Sequence, residues 1–433
     1  MTTYETPPDL AAAWPGLDRV PDDLRSDVAW RIARRIFHAA VSRLDVSVHE
    51  GGQVIGRGGP VAVLHRPEEF YRRVGRDGLI GFGEAYLTGA WDAEDLGGFL
   101  TVLAAEMPRL VPGWMQRLRA AYVHRPPAMH RNTTSNTRQN IAHHYDLSND
   151  LFQLFLDESL TYSSALFDTS LRRGADEHGG HLVASPPGHE AGDLHEAQAR
   201  KMERLLDEAG VTAGTRVLEI GTGWGELAVR AARRGATVHS VTLSSEQLAL
   251  AQQRVDEAGL GERVTLELCD YRAVTGEYDA VVSIEMIEAV GHEYWSTYFR
   301  TLDARLAPGG RAVVQAITMP HDRMLATKST FTWINKYIFP GGFLPSVQAV
   351  HEITSADTSL RLVDRLGFGT HYAETLARWD AAFLAAREQV LALGFDDVFV
   401  RMWHFYLEYS RAGFASRYLD VQQLVLARPE EQL

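Results

Sequence analysis

The sequence predicts an α/β protein: a doubly wound, mostly parallel sheet with a smaller mixed α/β domain before it. Three observations carry this reading. Short apolar runs alternate with helix-length amphipathic segments between residues 194 and 318. One such run, Val217–Ile220, opens into a glycine-rich turn that a helix follows. The chain has 433 residues, more than one core of ordinary size needs.

The elements follow in order. Residues 1–125 mix helical and short strand-like patterns and form the first domain. The stretch HRPPAMHRNTTSN is rich in Pro, Asn, Ser and Thr, which places a linker at residues 126–140. Residues 141–433 form the second domain. Within it, Arg172 to Asp193 is rich in Gly, Pro and His and reads as a long mobile loop, residues 172–193. Its histidines, His178, His181 and His189, fit no standard metal spacing, so no metal is expected.

After that loop, LHEAQARKMERLLDEAG has apolar residues at helical spacing. RVLEIG is a buried strand, ELAVRAARRG a helix and TVHSVTL a strand. SEQLALAQQRVDEAG is a helix with Ser244 or Ser245 as its N-cap. RVTLELCD, YDAVVSIE and GGRAVVQAIT are further strands. Strands separated by helices of this length pair in parallel. No internal repeat is visible.

Composition narrows the function. Hydrophobic residues make up 45% and charged residues 23%, a globular balance. The net charge is −13, yet residues 1–136 balance 16 Arg against 9 Asp and 7 Glu, with no Lys. The acidity therefore lies downstream, which argues against a nucleic-acid partner. The segment Met107–Arg131 carries Arg109, Arg117, Arg119, Arg125 and Arg131 without an acid, interleaved with Trp114, Met115, Leu118 and Tyr122. It suits an anionic lipid surface, and equally a solvated helix and linker. No uncharged apolar run reaches the length of a membrane-spanning helix. The first residues do not look like a signal peptide, and Cys269 is the only cysteine. Both point to a reducing cytoplasm.

The strongest local motif is VLEIGTGWGELAV. A strand carries Glu219 near its end and opens into Gly221, Gly223 and Gly225 before a helix. Glycines serve where a ligand approaches backbone closely or φ is positive. The turn alone is shared with dinucleotide enzymes. The carboxylate before the first glycine suits a cationic amino-acid ligand better than a pyrophosphate.

From here the sequence resembles the cyclopropane-fatty-acyl-phospholipid synthase family of S-adenosylmethionine-dependent methyltransferases. AHHYDLSNDLFQLFLDESLTYSSALF is similar to the family's HYDLGNDFY…MTYSCAYF segment. VTLSSEQ, SIEMIEAVGHEYW, YIFPGGFLPS and the C-terminal RMWHFYLEYSRAGFASRYLDVQQLVLARP also match family motifs, as does HYAETLARW. IGFGEAYLTGAWDAEDLGGFL resembles the N-terminal domain of the longer bacterial members. The resemblance implies a class I methyltransferase fold. It places S-adenosylmethionine against Tyr162 and Ser163, with Glu219, Gly221, Gly223 and Gly225 around its amino-acid part. Thr242, Leu243 and Gln247 would flank its ribose, and Asp270 and Tyr271 its adenine.

The resemblance also implies the reaction. An isolated alkene is a weak nucleophile, and methyl transfer to it creates a carbocation in the acyl chain. The site must exclude water, stabilise positive charge and remove a proton. Tyr145, Phe167, Phe331, Trp333, Tyr337 and Phe339 are candidate walls. In the family a bound bicarbonate is the base, held by a cysteine, a glutamate, a histidine and a tyrosine. This chain keeps Glu288 and Tyr372, but has Ser164 for the cysteine and Gln315 for the histidine. It has Glu285 where the family has glycine. These departures put bicarbonate in question and make Glu285 the candidate base. The expected product is a methylene- or methyl-branched chain, with a cyclopropane ring from the same cation as the alternative. The implied partners are an unsaturated phospholipid at the inner membrane face, where the enzyme sits peripherally, and a reductase if the product is a methylene. The oligomeric state is open, a homo-oligomer included.

Overall fold

In a computed structural model the described residues are 14–22, 24–106, 148–188 and 191–429. The linker, the Arg-rich segment after Met107, Tyr145 and His189 lie outside them. The chain divides into two compact units.

The first unit comprises Met1–Arg125, Thr330–Lys336 and Gly394–Ser416. Its sheet has the order β2-β1-β3-β4, built from β1 (Ser47–Glu50), β2 (Gln53–Ile55), β3 (Val61–Leu64) and β4 (Trp91–Ala93). β1 and β3 are parallel and the other pairs antiparallel. Phe70, Tyr71, Trp91 and Phe99 are buried. Sequence alone places residues 330–336 and 394–416 in the second domain, and here the structure differs. The Asp397–Ala415 helix buries Trp403, Phe405, Leu407 and Phe414 and packs on the Leu96–Ala105 helix. The approach is close enough that a Cβ at Gly97 would overlap the Glu408 carboxylate. Apolar periodicity shows that this helix is buried on a face, but not which domain supplies the partner.

The second unit holds a nine-stranded sheet of order β5-β6-β12-β13-β11-β10-β7-β8-β9. Its strands are β5 (Leu171–Asp176), β6 (Gly179–Ala184), β7 (Arg216–Ile220), β8 (Thr237–Thr242), β9 (Val264–Leu268), β10 (Tyr278–Ile284), β11 (Leu306–Thr318), β12 (Arg361–Gly367) and β13 (Asp420–Ala427). From β11 to β9 every pairing is parallel, while β13 runs antiparallel to both β11 and β12. Side chains alternate across the sheet. Leu218, Ile220, Val281 and Val314 enter one core, and Val217, Val282, Val313 and Val425 the other. Ser244 caps the Ser245–Glu257 helix, its Oγ accepting from the Gln247 amide at 3.2 Å.

The predicted loop 172–193 is in part a hairpin. β5 and β6 pair antiparallel, and β6 adds in parallel to β12. The turn is closed by Asp176, whose Oδ1 accepts from the His178 amide at 2.9 Å, and by Gly179 at φ 103°. Its polar, glycine-rich composition hid the strands, because the hairpin lies at a sheet edge and buries little.

Candidate active site

The site forms at the carboxyl ends of β7, β8 and β10, where a doubly wound sheet opens. After β7 the chain turns through Gly221, Gly223 and Gly225 at φ 98°, 51° and 89°. A Cβ on Gly223 would meet no atom within 4 Å and would project into open space. Gly225 serves packing instead. A Cβ there would press on Ala251 at 3.1 Å, so its absence lets two helices approach.

That open space is a cavity of about 150 Å³. Tyr162, Ser163, Glu219, Gly221, Gly223, Thr242, Leu243, Gln247 and Tyr271 all line it, and so does Glu285. Gly225 and Asp270 are not on the wall. Asp270 instead accepts from the Arg272 backbone at 3.0 Å and guanidinium at 2.9 Å, which holds its carboxyl below the usual range despite burial. Glu219 is buried, with Ser240 Oγ donating to it at 2.5 Å. Burial pushes its pKa up to about 8.

The loop from Ser159 to Phe167 forms one side. Leu160 holds φ 52°. Gln198 donates to the carbonyls of Thr161 and Ser163 at 3.1 and 2.9 Å. From the Gly369–Ala385 helix, Thr375 Oγ1 and His371 Nδ1 accept from the amides of Ala165 and Phe167 at 3.1 and 3.0 Å. The loop backbone is thus fixed by side chains on two helices.

Glu285 follows β10 directly, at φ 48°. This left-handed conformation favours glycine and costs an ordinary residue about 1–2 kcal/mol. It explains the glycine of the resembled motif, and means that Glu285 is held there against a local preference. Its backbone amide donates to the Gln315 carbonyl at 2.8 Å. Its carboxylate receives three donors. The Ser164 amide and Gln315 Nε2 each reach Oε1 at 2.9 Å, and the Tyr372 hydroxyl reaches Oε2 at 2.9 Å. Gln315 is itself oriented by Gln423, its register partner on β13, whose Nε2 donates to Gln315 Oε1 at 3.1 Å. Burial raises the Glu285 pKa above the usual carboxylate range; the Lys201 charge and the three donors oppose this.

Glu288, one turn on, accepts from the Ile317 amide at 2.5 Å through Oε1. Its Oε2 is buried with no hydrogen-bond partner among the described residues. Burial and then the Glu285 charge push its pKa up to about 8. Ser164 contributes its amide, while its hydroxyl donates to the Ala165 carbonyl at 3.1 Å. The structure therefore gathers Ser164, Gln315 and Tyr372 on Glu285, whose charge in turn acts on Glu288.

The candidate aromatic walls are divided between the two units. Phe167 is buried, with the Arg378 guanidinium 4.6 Å from its ring centre. Tyr337 and Phe339 belong to the second unit, whereas Phe331 and Trp333 belong to the first. There Trp333 packs on Phe405, ring centres 4.8 Å apart. Sequence reasoning missed Lys201. It is fully buried and donates to Ser163 Oγ at 2.6 Å. The signal was present: Lys201 interrupts the apolar stripe formed by Ala197, Leu205 and their neighbours. No group of His, Cys, Asp and Glu suited to a metal occurs among the described residues.

A family model described as mycolic acid cyclopropane synthetase matches residues 132–424. The chain belongs to that family. As such it is an S-adenosylmethionine-dependent methyltransferase that modifies unsaturated fatty acyl chains. It is 49% identical over 435 residues to the tuberculostearic acid methyltransferase UfaA1 of Mycobacterium tuberculosis, covering 98% of this chain and 99% of that one. It is 32% identical to the cyclopropane-fatty-acyl-phospholipid synthase of Escherichia coli, covering 92% and 94%. Among solved structures, the cyclopropane synthase MmaA2 from Mycobacterium tuberculosis superposes with a TM-score of 0.57 at 30% identity, covering 67% of this chain and 98% of that one. The mycolic acid cyclopropane synthase CmaA1, complexed with SAH and CTAB, superposes with a TM-score of 0.58 at 28% identity, covering 70% and 98%.

The residues present fit the family's cofactor. Gly223 leaves space that a Cβ would fill, and Glu219 is a buried carboxylate at the turn. No helix among the described residues is long and apolar enough to cross a membrane.

Proposed function

We propose that the protein methylates the cis double bond of an unsaturated acyl chain in phospholipid. Glu285 takes the proton that the resulting carbocation loses, and the product is a methylene- or methyl-branched chain. The observation that carries this is the hydrogen-bonded Glu285 carboxylate. Ser164, Gln315 and Tyr372 stand at the positions of the resembled family's bicarbonate ligands, and all three donate to the Glu285 carboxylate. A carboxylate and a bicarbonate present the same pair of oxygens to such donors.

S-adenosylmethionine supplies the electrophilic methyl group. The protein's own residues do the rest. The loop through Ser163 and the turn through Gly223 shape the cavity into which Glu285 projects. Tyr372, Gln315 and the Ser164 amide aim the Glu285 oxygens and favour the ionised form. A carboxylate beside a developing cation both stabilises it and removes its proton. The proton source decides the product. Loss of the hydrogen on the carbon that bears the new methyl leaves a methyl-branched alkene; a 1,2-hydride shift from that carbon followed by loss of a methyl proton leaves a methylene; and loss of a methyl proton with ring closure leaves a cyclopropane. The first outcome is supported by a 49% identical relative that is named a methyltransferase.

The Arg- and aromatic-rich segment after Met107 supports membrane contact through the first domain. A methylene product requires a reductase partner to become a saturated branch. The decisive experiment is product analysis from an unsaturated phospholipid. A gain of one CH2 unit with the alkene retained supports the branch; a ring on chromatography favours the alternative reading.

A further inference from the structure

Methyl transfer must place two partners, the methyl donor and the base. In this reading Tyr162 lines the cofactor's cavity beside the turn through Gly223, and Tyr372 directs Glu285. One side chain touches both tyrosines. Trp379 lies on the Gly369–Ala385 helix with no exposed surface. Its ring centre is 5.1 Å from that of Tyr162, the two rings stacked at 28°. It is 6.0 Å from that of Tyr372, the planes crossing at 89°. Both are favoured geometries for aromatic pairs. Phe155 meets the same ring at 6.3 Å. Trp379 is not on the cavity wall but stands behind it. Its Nε1 is buried with no hydrogen-bond partner among the described residues. Phe or Leu would fill an apolar core without leaving such a donor. What the indole adds is breadth, enough to meet two tyrosines at once.

We infer that Trp379 is a positioning residue for methyl transfer, holding the Tyr162 wall and the Tyr372 donor at a fixed separation. The inference rests on Glu285 being the base, and adds the residue that keeps this base in register with the methyl donor. Trp379 does not meet the reacting carbons. It acts through the two tyrosines.

The surrounding contacts fit this role. Tyr372, Thr375 and Trp379 fall on one face of their helix, at the i, i+3, i+7 spacing. That face fixes the Ala165 amide through Thr375, the Tyr162 ring through Trp379 and the Glu285 carboxylate through Tyr372. Gln198 holds the loop backbone on either side of Tyr162, at the carbonyls of Thr161 and Ser163. Tyr162 also meets Phe152, ring centres 5.1 Å apart, and Phe152 meets Trp224 of the glycine turn, again at 5.1 Å. Trp224 Nε1 donates to Asn149 Oδ1 at 2.8 Å. A chain of rings thus runs from the cofactor turn through Tyr162 to Trp379, and Tyr372 continues it to the base. A smaller side chain at position 379 leaves a void into which both tyrosines can relax. A shift of about an ångström between reacting groups costs on the order of a hundredfold in rate.

The experiment uses the full-length enzyme carrying Trp379→Phe or Trp379→Leu. It measures S-adenosylmethionine affinity by calorimetry and methylation of unsaturated phospholipid vesicles across pH. Trp379→Phe keeps a ring in the core and is the variant that spares the fold. Its affinity should fall about fivefold and its kcat about tenfold, and Trp379→Leu should reach about tenfold and a hundredfold. In both, the acid limb of the pH–rate profile should move to higher pH, because a displaced Tyr372 donates less well to Glu285 and raises its pKa. Lys201 and Glu288, the other ionisable groups that interact with Glu285 electrostatically, are unchanged in these variants. Tyr372→Phe supplies the internal comparison. In that background Trp379→Phe should still weaken cofactor binding but move the limb no further, as two changes acting through one contact do. Glu285→Gln tests the base separately, because it should lose turnover whatever stands at position 379. If it keeps turnover, the base assignment fails, a failure distinct from that of Trp379. With Glu285 confirmed, the inference is overturned if Trp379→Phe leaves either the affinity or the acid limb where it is in the parent. It is also overturned if Trp379→Phe moves the limb equally with and without the Tyr372 hydroxyl, the mark of a merely structural role.

Discussion

The Tyr372 hydroxyl donates to Oε2 of Glu285 at 2.9 Å, across two segments 87 residues apart in sequence. Neither residue explains the other alone. Glu285 sits at φ 48°, a conformation it would not choose, and Tyr372 is buried on the Gly369–Ala385 helix. Together with Gln315 and the Ser164 amide they make a carboxylate of fixed direction on the cavity wall.

Tyr372→Phe should slow methylation without loosening cofactor binding. The change leaves Glu285 Oε2 without its donor, and a hydrogen bond to a charged group contributes about 1.5–3 kcal/mol. The expected loss in kcat is about tenfold or more. Burial already raises the Glu285 pKa, and a lost donor raises it further. The acid limb of the pH–rate profile should therefore move to higher pH. An unmoved limb would show that Tyr372 does not act through Glu285.

Gly223→Ala should weaken S-adenosylmethionine binding. The added methyl enters space that the backbone leaves open, and φ 51° adds strain. Calorimetry should show at least about a tenfold loss of affinity while the protein stays folded. Equal affinity would remove the assignment of this turn to the cofactor.

Cofactor binding should release a proton at pH 7. Glu219, with its pKa near 8, is mostly protonated in the free protein. A cationic ligand beside it favours the carboxylate. Titration calorimetry in buffers of different ionisation enthalpy reads this release directly. Glu219→Gln should abolish it, and a release that survives the substitution would point to another group.

Glu288→Gln should stabilise the free protein at high pH. The Glu288 pKa rises from 4.5 in the unfolded chain to about 8 when folded. Its stabilising contribution is complete below about 4.5 and is lost as pH rises towards 8. Glutamine stays neutral and still accepts from the Ile317 amide. Melting temperatures of the two proteins should agree near pH 4.5 and diverge in favour of the variant towards pH 8. Parallel melting curves across that range would contradict the raised pKa.

Membrane attachment is tested by flotation. If Arg109, Arg117, Arg119, Arg125 and Arg131 meet anionic lipid, binding to phosphatidylglycerol vesicles should fall as salt rises. Equal binding to neutral and anionic vesicles at every salt concentration would argue against it.

Much of this was legible in the sequence. The strand–GTGWG–helix turn, the alternating strands from β7 to β11 and the Ser244 cap all follow from local patterns that tertiary contacts reinforce. Glu285 stood out because it replaces a glycine at the end of a strand. Three features were hidden for physical reasons. The β5–β6 hairpin is an edge element with polar faces, so its composition resembles a loop. Lys201 carries a charge that by itself suggests solvent, and only its place in the apolar stripe betrays burial. Gln423 reaches Gln315 through cross-strand register, which joins residues 108 apart and leaves no local trace.

The central claim is that Glu285 does the work that bicarbonate does in the resembled family. Glu285→Gly tests it most directly, because it restores the family's residue at a glycine-type φ and opens the space the carboxylate filled. Turnover should be measured in bicarbonate-free buffer and again with bicarbonate added. The parent should run at one rate in both. The variant should fall by on the order of a thousandfold without bicarbonate and recover in part when it is added. Near-normal turnover of Glu285→Gly in bicarbonate-free buffer would contradict the account, as would a parent enzyme that needs bicarbonate.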